Sequence, residues 1–138
     1  MVMSDIRRPA TDHTVAINHD LHSRLPWHDT SDKERASKGL IAQHQGPIAN
    51  ERPGALNPIS WDTAKWDFIQ GDAPATVNPS LWRQAQLNAI HGLFEVTEGL
   101  YQVRGYDTAV VSFVATATGW LVIDPLTTQE TAAAAKRL

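Results

Sequence analysis

The sequence predicts a mixed α/β fold in which a meander of antiparallel strands is flanked by helices and preceded by an irregular N-terminal arm. Residues 93–124 contain four β-rich runs separated by short turn sequences, which is the pattern of a meander. Helical sequence with recognisable N-caps stands before these runs at Asn78 and after them at Thr127. The chain has 138 residues, 42% of them hydrophobic, which is enough for one domain with an apolar core.

The first sixty residues differ in composition from the rest, and we interpret residues 1–60 as an arm. Five of the six histidines and five of the eight prolines lie there. Ser31 and Glu34 form a predicted capping box, and the apolar residues that follow predict one short helix ending near residue 45. Residues 61–138 are then the start of an incomplete domain.

Residues 61–91 contain two helical patterns. Aromatic side chains recur at a short helical spacing over residues 61–69, and this pattern stops before Gly71. Asn78 is a favoured N-cap and Pro79 is tolerated at the first helical position, so the apolar spacing that follows predicts a helix over residues 79–91. Gly92 ends it.

The strands are predicted in the four runs 93–97, 99–104, 108–115 and 119–124. The last run is apolar at consecutive positions from Trp120 to Ile123, as expected of a strand that is covered on both faces. Thr127 and Glu130 form a second capping box that opens a helix running to Leu138. One helix cannot cover both faces of a sheet, so we expect the folding unit to continue beyond these residues.

Composition excludes several classes of function. The net charge of −3 and the absence of a basic cluster give no reason to expect a nucleic-acid partner. Without cysteine there are no disulfides, thiolate nucleophiles or cysteine-bound metals. Residues 1–9 lack the apolar core of a signal peptide, and no uncharged apolar stretch is long enough to span a bilayer. We therefore expect no membrane partner and a cytoplasmic location.

Four segments resemble, in order and spacing, the N-terminal portion of the alkyl sulfatases of the metallo-β-lactamase superfamily. They are residues 77–88 (VNPSLWRQAQLN), 91–96 (HGLFEV), 99–107 (GLYQVRGYD) and 118–126 (TGWLVIDPL). The shorter segments 39–42 (GLIA) and 46–48 (GPI) also resemble the arm of that family. Four segments that match the family in order and spacing are far more specific for it than a single apolar strand followed by Asp-Pro.

The resemblance implies a zinc hydrolase that cleaves alkyl sulfate esters to an alcohol and sulfate. It implies the first part of an αββα sandwich, two zinc ions held by a His-x-His-x-Asp-His motif after the next strand, and a homodimer for full-length relatives. That motif is missing from this chain, so we assign it no metal ligand and no cofactor and predict that the 138 residues alone are inactive. The alternative is a catalytically inert remnant or an interaction module.

Four residues are candidates for a place beside the substrate, namely Asp107, Val110, Ser112 and Asp124. Val110 to Ser112 stand where the family commonly has Asn-Met-Thr, which would make the cavity wall less polar. Asp124 follows a strand at a position where α/β folds often place functional carboxylates, but the favoured interpretation is that it caps the turn into the helix at Thr127. No residue is assigned as catalytic, because no nucleophile elbow or paired carboxylates are recognisable.

The histidines offer a second candidate site. The spacing of His19 and His22 could place two imidazoles on one face of a helix, but residues 18–23 show neither a cap nor an apolar rhythm. We therefore expect solvated loop histidines there. His91 is expected at the C-terminal end of a helix, where a positive charge is favoured.

Two arginines have the chemistry to bind sulfate, since a guanidinium offers two parallel donors to a tetrahedral anion. They are Arg83 and Arg104. The favoured interpretation is structural, with each arginine bracing its own element through a carboxylate such as Glu95 or Asp107.

Overall fold

A computed structural model of the protein describes residues 8–138. Residues 1–7, which include most of the segment predicted to lack a signal-peptide core, lie outside the described part. Within residues 8–138 the chain forms a mixed α/β structure, which confirms the predicted fold class. Its α-helices are α1 (Asp12–Arg24), α2 (Ser31–Ser37), α3 (Pro79–Asn88) and α4 (Gln129–Arg137), and one 3₁₀ turn covers Thr63–Trp66.

The strands form two antiparallel sheets. They are β1 (Leu40–Ala42), β2 (Ile48–Ala49), β3 (Ile59–Trp61), β4 (Gly92–Thr97), β5 (Leu100–Arg104), β6 (Val111–Thr116) and β7 (Gly119–Ile123). The larger sheet has the order β1-β4-β5-β6-β7, and β2 pairs with β3 in the smaller one. The four runs predicted as a meander are β4 to β7, joined in chain order.

The core lies between one face of the larger sheet and a layer made of α4, β2 and β3. Val103 of β5 stands opposite Val111 of β6, and both are buried against Ala134 and Ala135 of α4. Tyr106 and Ile48 complete this cluster. Alanine at the contact lets the helix backbone approach the sheet closely, so the predicted covering helix is present where expected.

Helix α3 begins as predicted and ends earlier than predicted. The side-chain oxygen of Asn78 accepts hydrogen bonds from the backbone N–H groups of Ser80 and Leu81 at 2.9 and 3.4 Å. The helix ends at Asn88 rather than residue 91, because Gly92 already belongs to β4 with a φ of 141°. A side chain there would come within 2.6 Å of the Ala42 carbonyl oxygen, so only glycine fits.

The arm contains a helix that the sequence analysis missed. Residues 12–24 form α1, whose N-cap is Thr11, with its hydroxyl oxygen accepting a hydrogen bond from the Thr14 N–H at 3.2 Å. The prediction of a loop around His19 and His22 was wrong, because the cap that starts their helix lies seven residues before Asn18. None of the residues of α1 is buried, which explains the missing apolar rhythm.

The predicted helix from Ser31 to about residue 45 is also corrected. Helix α2 stops at Ser37, and Gly39, with a φ of 79°, turns the chain into β1, which pairs with β4. The predicted capping box was wrong, since the N-cap is Thr30, whose side chain caps no backbone N–H and instead donates its hydroxyl hydrogen to Glu34 at 2.9 Å. Leu40 and Ile41, which were assigned to the end of the predicted helix, lie in β1, because this segment pairs with β4 instead.

Strand β7 differs most from expectation. Within residues 8–138 it is the edge of the sheet, and Trp120, Leu121, Val122 and Ile123 are 61%, 56%, 46% and 52% exposed. The prediction of cover on both faces is therefore not met by the described residues. No helix among residues 8–138 has the length and apolar character needed to cross a membrane.

Candidate functional site

Residues 105–107, in the turn between β5 and β6, form hydrogen bonds to the segment after β1, to β3 and to the start of α4. Gly105 adopts a φ of 83°, and its carbonyl oxygen accepts a hydrogen bond from the indole N–H of Trp61 at 2.7 Å. The hydroxyl oxygen of Tyr106 accepts one from the backbone N–H of His44 at 2.8 Å. The 105–107 turn thus connects the larger sheet to β3 and to the segment after β1.

Tyr106 is the central side chain of the 105–107 turn. It is 2% exposed and lies edge-on to His44 and His91, with ring centroids 6.1 and 5.4 Å apart. Burial raises the pKa of the Tyr106 hydroxyl, and the hydrogen bond from His44 opposes that rise without cancelling it. The phenol therefore stays neutral at physiological pH and acts as an acceptor and packing group.

Asp107 is the charged group of the 105–107 turn, and it is 8% exposed. Its carboxylate accepts hydrogen bonds from the Thr127 N–H at 2.9 Å, from the Thr127 and Thr131 hydroxyls at 2.7 and 2.8 Å, and from the Thr108 N–H at 2.6 Å. Burial by itself would raise the pKa of Asp107, but these hydrogen bonds outweigh it and lower the pKa to about 2. The carboxylate is ionised and its acceptor positions are occupied.

The partners of Asp107 lie in the first turn of α4 and just before it. The N-cap of α4 is Thr128, whose hydroxyl oxygen accepts from the Thr131 N–H at 3.1 Å, so the predicted capping box of Thr127 and Glu130 was wrong by one residue. Thr127 is free to bind Asp107 instead. Glu130 is buried and stands 3.7 Å from the Arg52 Nε. Asp107 therefore acts as a latch between the β5–β6 turn and α4.

The connection from β7 to α4 has unusual backbone geometry. Asp124 and Leu126 adopt positive φ values of 54° and 73° on either side of Pro125. Non-glycine residues pay of order 1 kcal/mol or more for this conformation, so surrounding contacts must hold it. The two hydrogen bonds from Thr127 to Asp107 fix the chain directly after the strained residues.

The four candidate residues do not converge on one point. Val111 points into the core beside α4, so Ser112 faces the opposite side of the sheet, where its hydroxyl oxygen accepts from the Gln102 amide at 3.1 Å. Val110, 41% exposed, precedes β6, and Asp124 follows Ile123, the register partner of Ser112. Val110, Ser112 and Asp124 share one end of the β6–β7 pair, whereas the Asp107 carboxylate is bound on the α4 side.

The two arginines contact protein groups. Arg83 donates through Nη2 to the Asp29 carbonyl at 2.6 Å and to the Asp32 carboxylate at 3.2 Å, which ties α3 to the arm. Arg104 donates through Nε to Gln102 at 3.1 Å, and its guanidinium lies 4.3 Å from the centre of the Phe94 ring. Both brace the fold as favoured above, although their partners are not the predicted carboxylates.

The histidines are separated as well. The His22 ring stacks on Trp27 with centroids 4.8 Å apart, and His91 Nδ1 lies 2.9 Å from the carbonyl oxygen of Ala89, the C-cap of α3. In the part of the chain that the structure describes, no three His, Asp or Glu side chains come together as a ligand set for a metal ion.

Sequence reasoning missed the partners of Asp107. Thr127 and Thr131 lie on either side of the Thr128 N-cap of α4, one before the helix and one in its first turn. The threonines could be read from the sequence, but nothing in it pointed to an aspartate twenty residues earlier.

Three known proteins are similar in sequence to this chain, and all three are named as alkylsulfatases or as an alkyl/aryl-sulfatase. A linear primary-alkylsulfatase from Pseudomonas sp. is 46% identical over 135 residues, covering 96% of this chain and 19% of that protein. An (R)-specific secondary-alkylsulfatase from Pseudomonas sp. is 46% identical over 93% of this chain and 19% of its own length. An alkyl/aryl-sulfatase of Saccharomyces cerevisiae is 42% identical over 86% of this chain and 18% of its own length. No protein-family model matches the chain.

A solved alkylsulfatase structure has a similar fold. The stereoselective inverting sec-alkylsulfatase Pisa1 from Pseudomonas sp. superposes with a TM-score of 0.82 at 46% identity, covering 94% of this chain and 20% of that one. The chain thus spans about a fifth of the length of the relatives that it matches.

Proposed function

Because this chain corresponds in sequence and fold to an N-terminal portion of the alkylsulfatases, we propose that it supplies the first part of an enzyme that hydrolyses alkyl sulfate esters to an alcohol and sulfate. The observation that supports this most is 46% identity over 96% of the chain, together with a TM-score of 0.82. Identity spread over the whole arm, helix and sheet is a stronger basis than one shared motif.

In this proposal the chain contributes scaffold. Asp107 latches the first turn of α4 to the sheet and thereby holds the strained turn at Asp124 and Leu126. Val110, Ser112 and Asp124 lie together at the end of the β6–β7 pair, and in the whole protein we place them beside the substrate. Asp107 is a positioning residue, because its oxygens are already occupied by threonine donors.

We assign the metal chemistry to residues outside this chain. The resemblance to the alkyl sulfatases of the metallo-β-lactamase superfamily implies, for the proposed whole protein, two zinc ions that would activate water for attack on the sulfate ester. The described residues do not fit as their ligands, since residues 8–138 hold no group of three metal-binding side chains. No chemical step is therefore assigned to a residue of this chain. We propose binding of an alkyl sulfate substrate and assembly into a homodimer only for the whole protein.

A chimeric protein tests the proposal. In it, residues 1–138 replace the matched segment of the Pseudomonas linear primary-alkylsulfatase, whose remaining four-fifths is unchanged. We expect the purified, zinc-loaded chimera to hydrolyse a long-chain alkyl sulfate, measured as released sulfate, within about tenfold of the parent enzyme. Matched controls are the parent enzyme and its version lacking that segment. A chimera that melts cooperatively but releases no sulfate would overturn the proposal and favour the inert remnant or interaction module.

A further inference from the structure

We propose that Arg104 and Gln102 are positioning residues that fix the hydroxyl of Ser112 as a hydrogen-bond donor to a sulfate oxygen of the alkyl sulfate. This inference deepens the proposed function and rests on it. The three side chains, called the polar row below, lie on the face of the larger sheet that is opposite α4.

The polar row crosses from β5 to β6. Gln102 stands directly opposite Ser112, and Arg104 lies two residues further along β5 on the same face. The Nε of Arg104 donates to Gln102 Oε1 at 3.1 Å, and Gln102 Nε2 donates to the hydroxyl oxygen of Ser112 at 3.1 Å. The Arg104 guanidinium is itself held by the fully buried ring of Phe94, whose centre is 4.3 Å away.

The direction of these hydrogen bonds follows from the chemistry of Arg104. A guanidinium has only donors, so the atom of the Gln102 amide that faces it must be the oxygen. The NH2 group of the same amide then faces Ser112, and the serine oxygen has to accept. The hydrogen of the Ser112 hydroxyl consequently points away from Gln102. Arg104 thus decides the polarity of a hydroxyl that lies two hydrogen bonds away.

The Ser112 hydroxyl is the open end of the polar row. Within residues 8–138 no acceptor receives its hydrogen, although the side chain is half-buried. Its register partner is Ile123, which directly precedes Asp124, so Ser112 lies at the end of the β6–β7 pair that we place beside the substrate. Among the described residues no carboxylate lies within ion-pair distance of Arg104, and its positive charge is therefore not neutralised on this face.

A sulfate ester has the chemistry that this open end requires. Its sulfate oxygens accept hydrogen bonds and donate none, and its negative charge is favoured by a donor hydroxyl and by a guanidinium on the same face. Asp107 differs in this respect, because its carboxylate already accepts from threonine donors. The polar row instead ends in a donor without an acceptor, which is what an anionic ligand can use.

Reversing the Ser112 hydroxyl tests the inference in the zinc-loaded chimera described above. Gln102→Glu keeps an oxygen facing Arg104, but its second oxygen accepts from Ser112, so the serine hydrogen turns towards the glutamate. We expect the KM for the long-chain alkyl sulfate to rise at least about tenfold while kcat changes less than about threefold. The Kd of the alkyl sulfonate of the same chain length, which has no cleavable ester bond, should rise equally. The matched control, Gln45→Glu, adds the same charge at an exposed position and should leave all three constants unchanged.

A double-mutant cycle separates the effect of the hydroxyl from that of the added charge. Ser112→Ala should raise KM and Kd about as much as Gln102→Glu does, whereas Ser112→Thr, which keeps a hydroxyl, should stay within about threefold of the unaltered chimera. Added to Ser112→Ala, Gln102→Glu should cause less than about a twofold further rise, because no hydroxyl is left to reverse. An equal effect of Gln102→Glu with and without the serine hydroxyl would overturn the inference. Unchanged constants in Gln102→Glu would also overturn it.

Sulfonate binding also separates this inference from the proposed function. A chimera that binds the sulfonate but releases no sulfate would refute the proposed function, and the sulfonate Kd of the variants would still decide the inference. A chimera that folds but does not bind the sulfonate would overturn both.

If the chimera does not fold, NMR on the 138-residue chain decides whether Arg104 holds the amide. The Nε–H of Arg104 should exchange with water at least about tenfold more slowly than that of the exposed Arg35, and Gln102→Met should remove this protection. Equal exchange of the two arginines, or protection that persists in Gln102→Met, would overturn the inference.

Discussion

Asp107 is the residue whose interpretation differs most between the sequence and the tertiary structure. From the sequence it is a carboxylate in a turn near a resembling family's cavity, which suggests contact with substrate. In the structure its oxygens are occupied by Thr108, Thr127 and Thr131, which makes it a latch. A carboxylate that accepts several hydrogen bonds cannot bind a sulfate and would repel it.

Replacing this carboxylate should destabilise the fold. Asp107→Asn removes the charge and turns one acceptor into a donor that faces the Thr127 and Thr131 hydroxyls and the Thr127 N–H. We expect the free energy of unfolding to fall by about 2 kcal/mol, the usual cost of an unsatisfied buried group. Urea denaturation would measure it. Asp72→Asn, at an exposed position, is the control and should change stability by less than about 0.5 kcal/mol; an equal effect of the two variants would refute the latch.

The same residue predicts how stability depends on pH. The folded pKa of Asp107 is about 2, below its ordinary value of 3.8, so folding favours the ionised form. Its contribution is fully present above about pH 4 and is lost as pH falls from about 4 towards 2. Stability measured over this range should decline less steeply in Asp107→Asn than in the unaltered chain. Parallel curves for the two proteins would contradict the assignment.

At the scale of elements, α3 shows how far local signals reach. Asn78 and Pro79 set its start, and the Asn78 oxygen caps the N–H groups of Ser80 and Leu81. Asn78→Ala should lower the free energy of unfolding by about 1 kcal/mol. Asn78→Asp should keep most of the stabilisation, because aspartate is also a good N-cap. Chemical denaturation of both variants tests this. If Asn78→Ala were neutral, the cap would contribute nothing to folding.

The arm depends on a long-range contact of α3. Arg83 binds the Asp29 carbonyl and the Asp32 carboxylate, and its guanidinium lies 5.9 Å from the Trp27 ring centre. Arg83→Ala should therefore increase hydrogen exchange in residues 25–38 severalfold while leaving β4 to β6 protected. Arg35→Ala, in the exposed helix α2, is the control. Unchanged exchange in residues 25–38 would show that other contacts hold the arm.

At the scale of the whole molecule, the question that can be tested is whether the 138-residue chain binds zinc. Because residues 8–138 bring no three ligands together, we expect the purified 138-residue chain to retain less than about 0.1 zinc per chain after dialysis, and to release no sulfate from an alkyl sulfate. Elemental analysis and a sulfate assay measure the two outcomes. One zinc per chain that survives a mild chelator would instead point to the histidines of the arm.

Local sequence determined the elements whose signals are contained within a few residues. The Asn78 cap, the turn sequences of the meander and the alanine-rich α4 could all be predicted because caps, turns and periodicity act over one or two turns of chain. The α1 helix was missed although its cap, Thr11, is also local, because none of its residues is buried and so no apolar period marks it. The resemblance to alkyl sulfatases likewise follows from the order of short segments.

Only the tertiary structure decided which distant groups meet. The latch joins Asp107 to residues 20 and 24 positions later, β1 pairs with a strand about fifty residues away, and Arg83 reaches Asp29 across 54 positions. No periodicity or cap encodes such pairings, because they depend on how packed layers bring the chain together. Strand β7 shows the same limit, because its apolar residues can be read from the sequence, whereas their exposure of 46% to 61% in the described residues is decided by the tertiary structure.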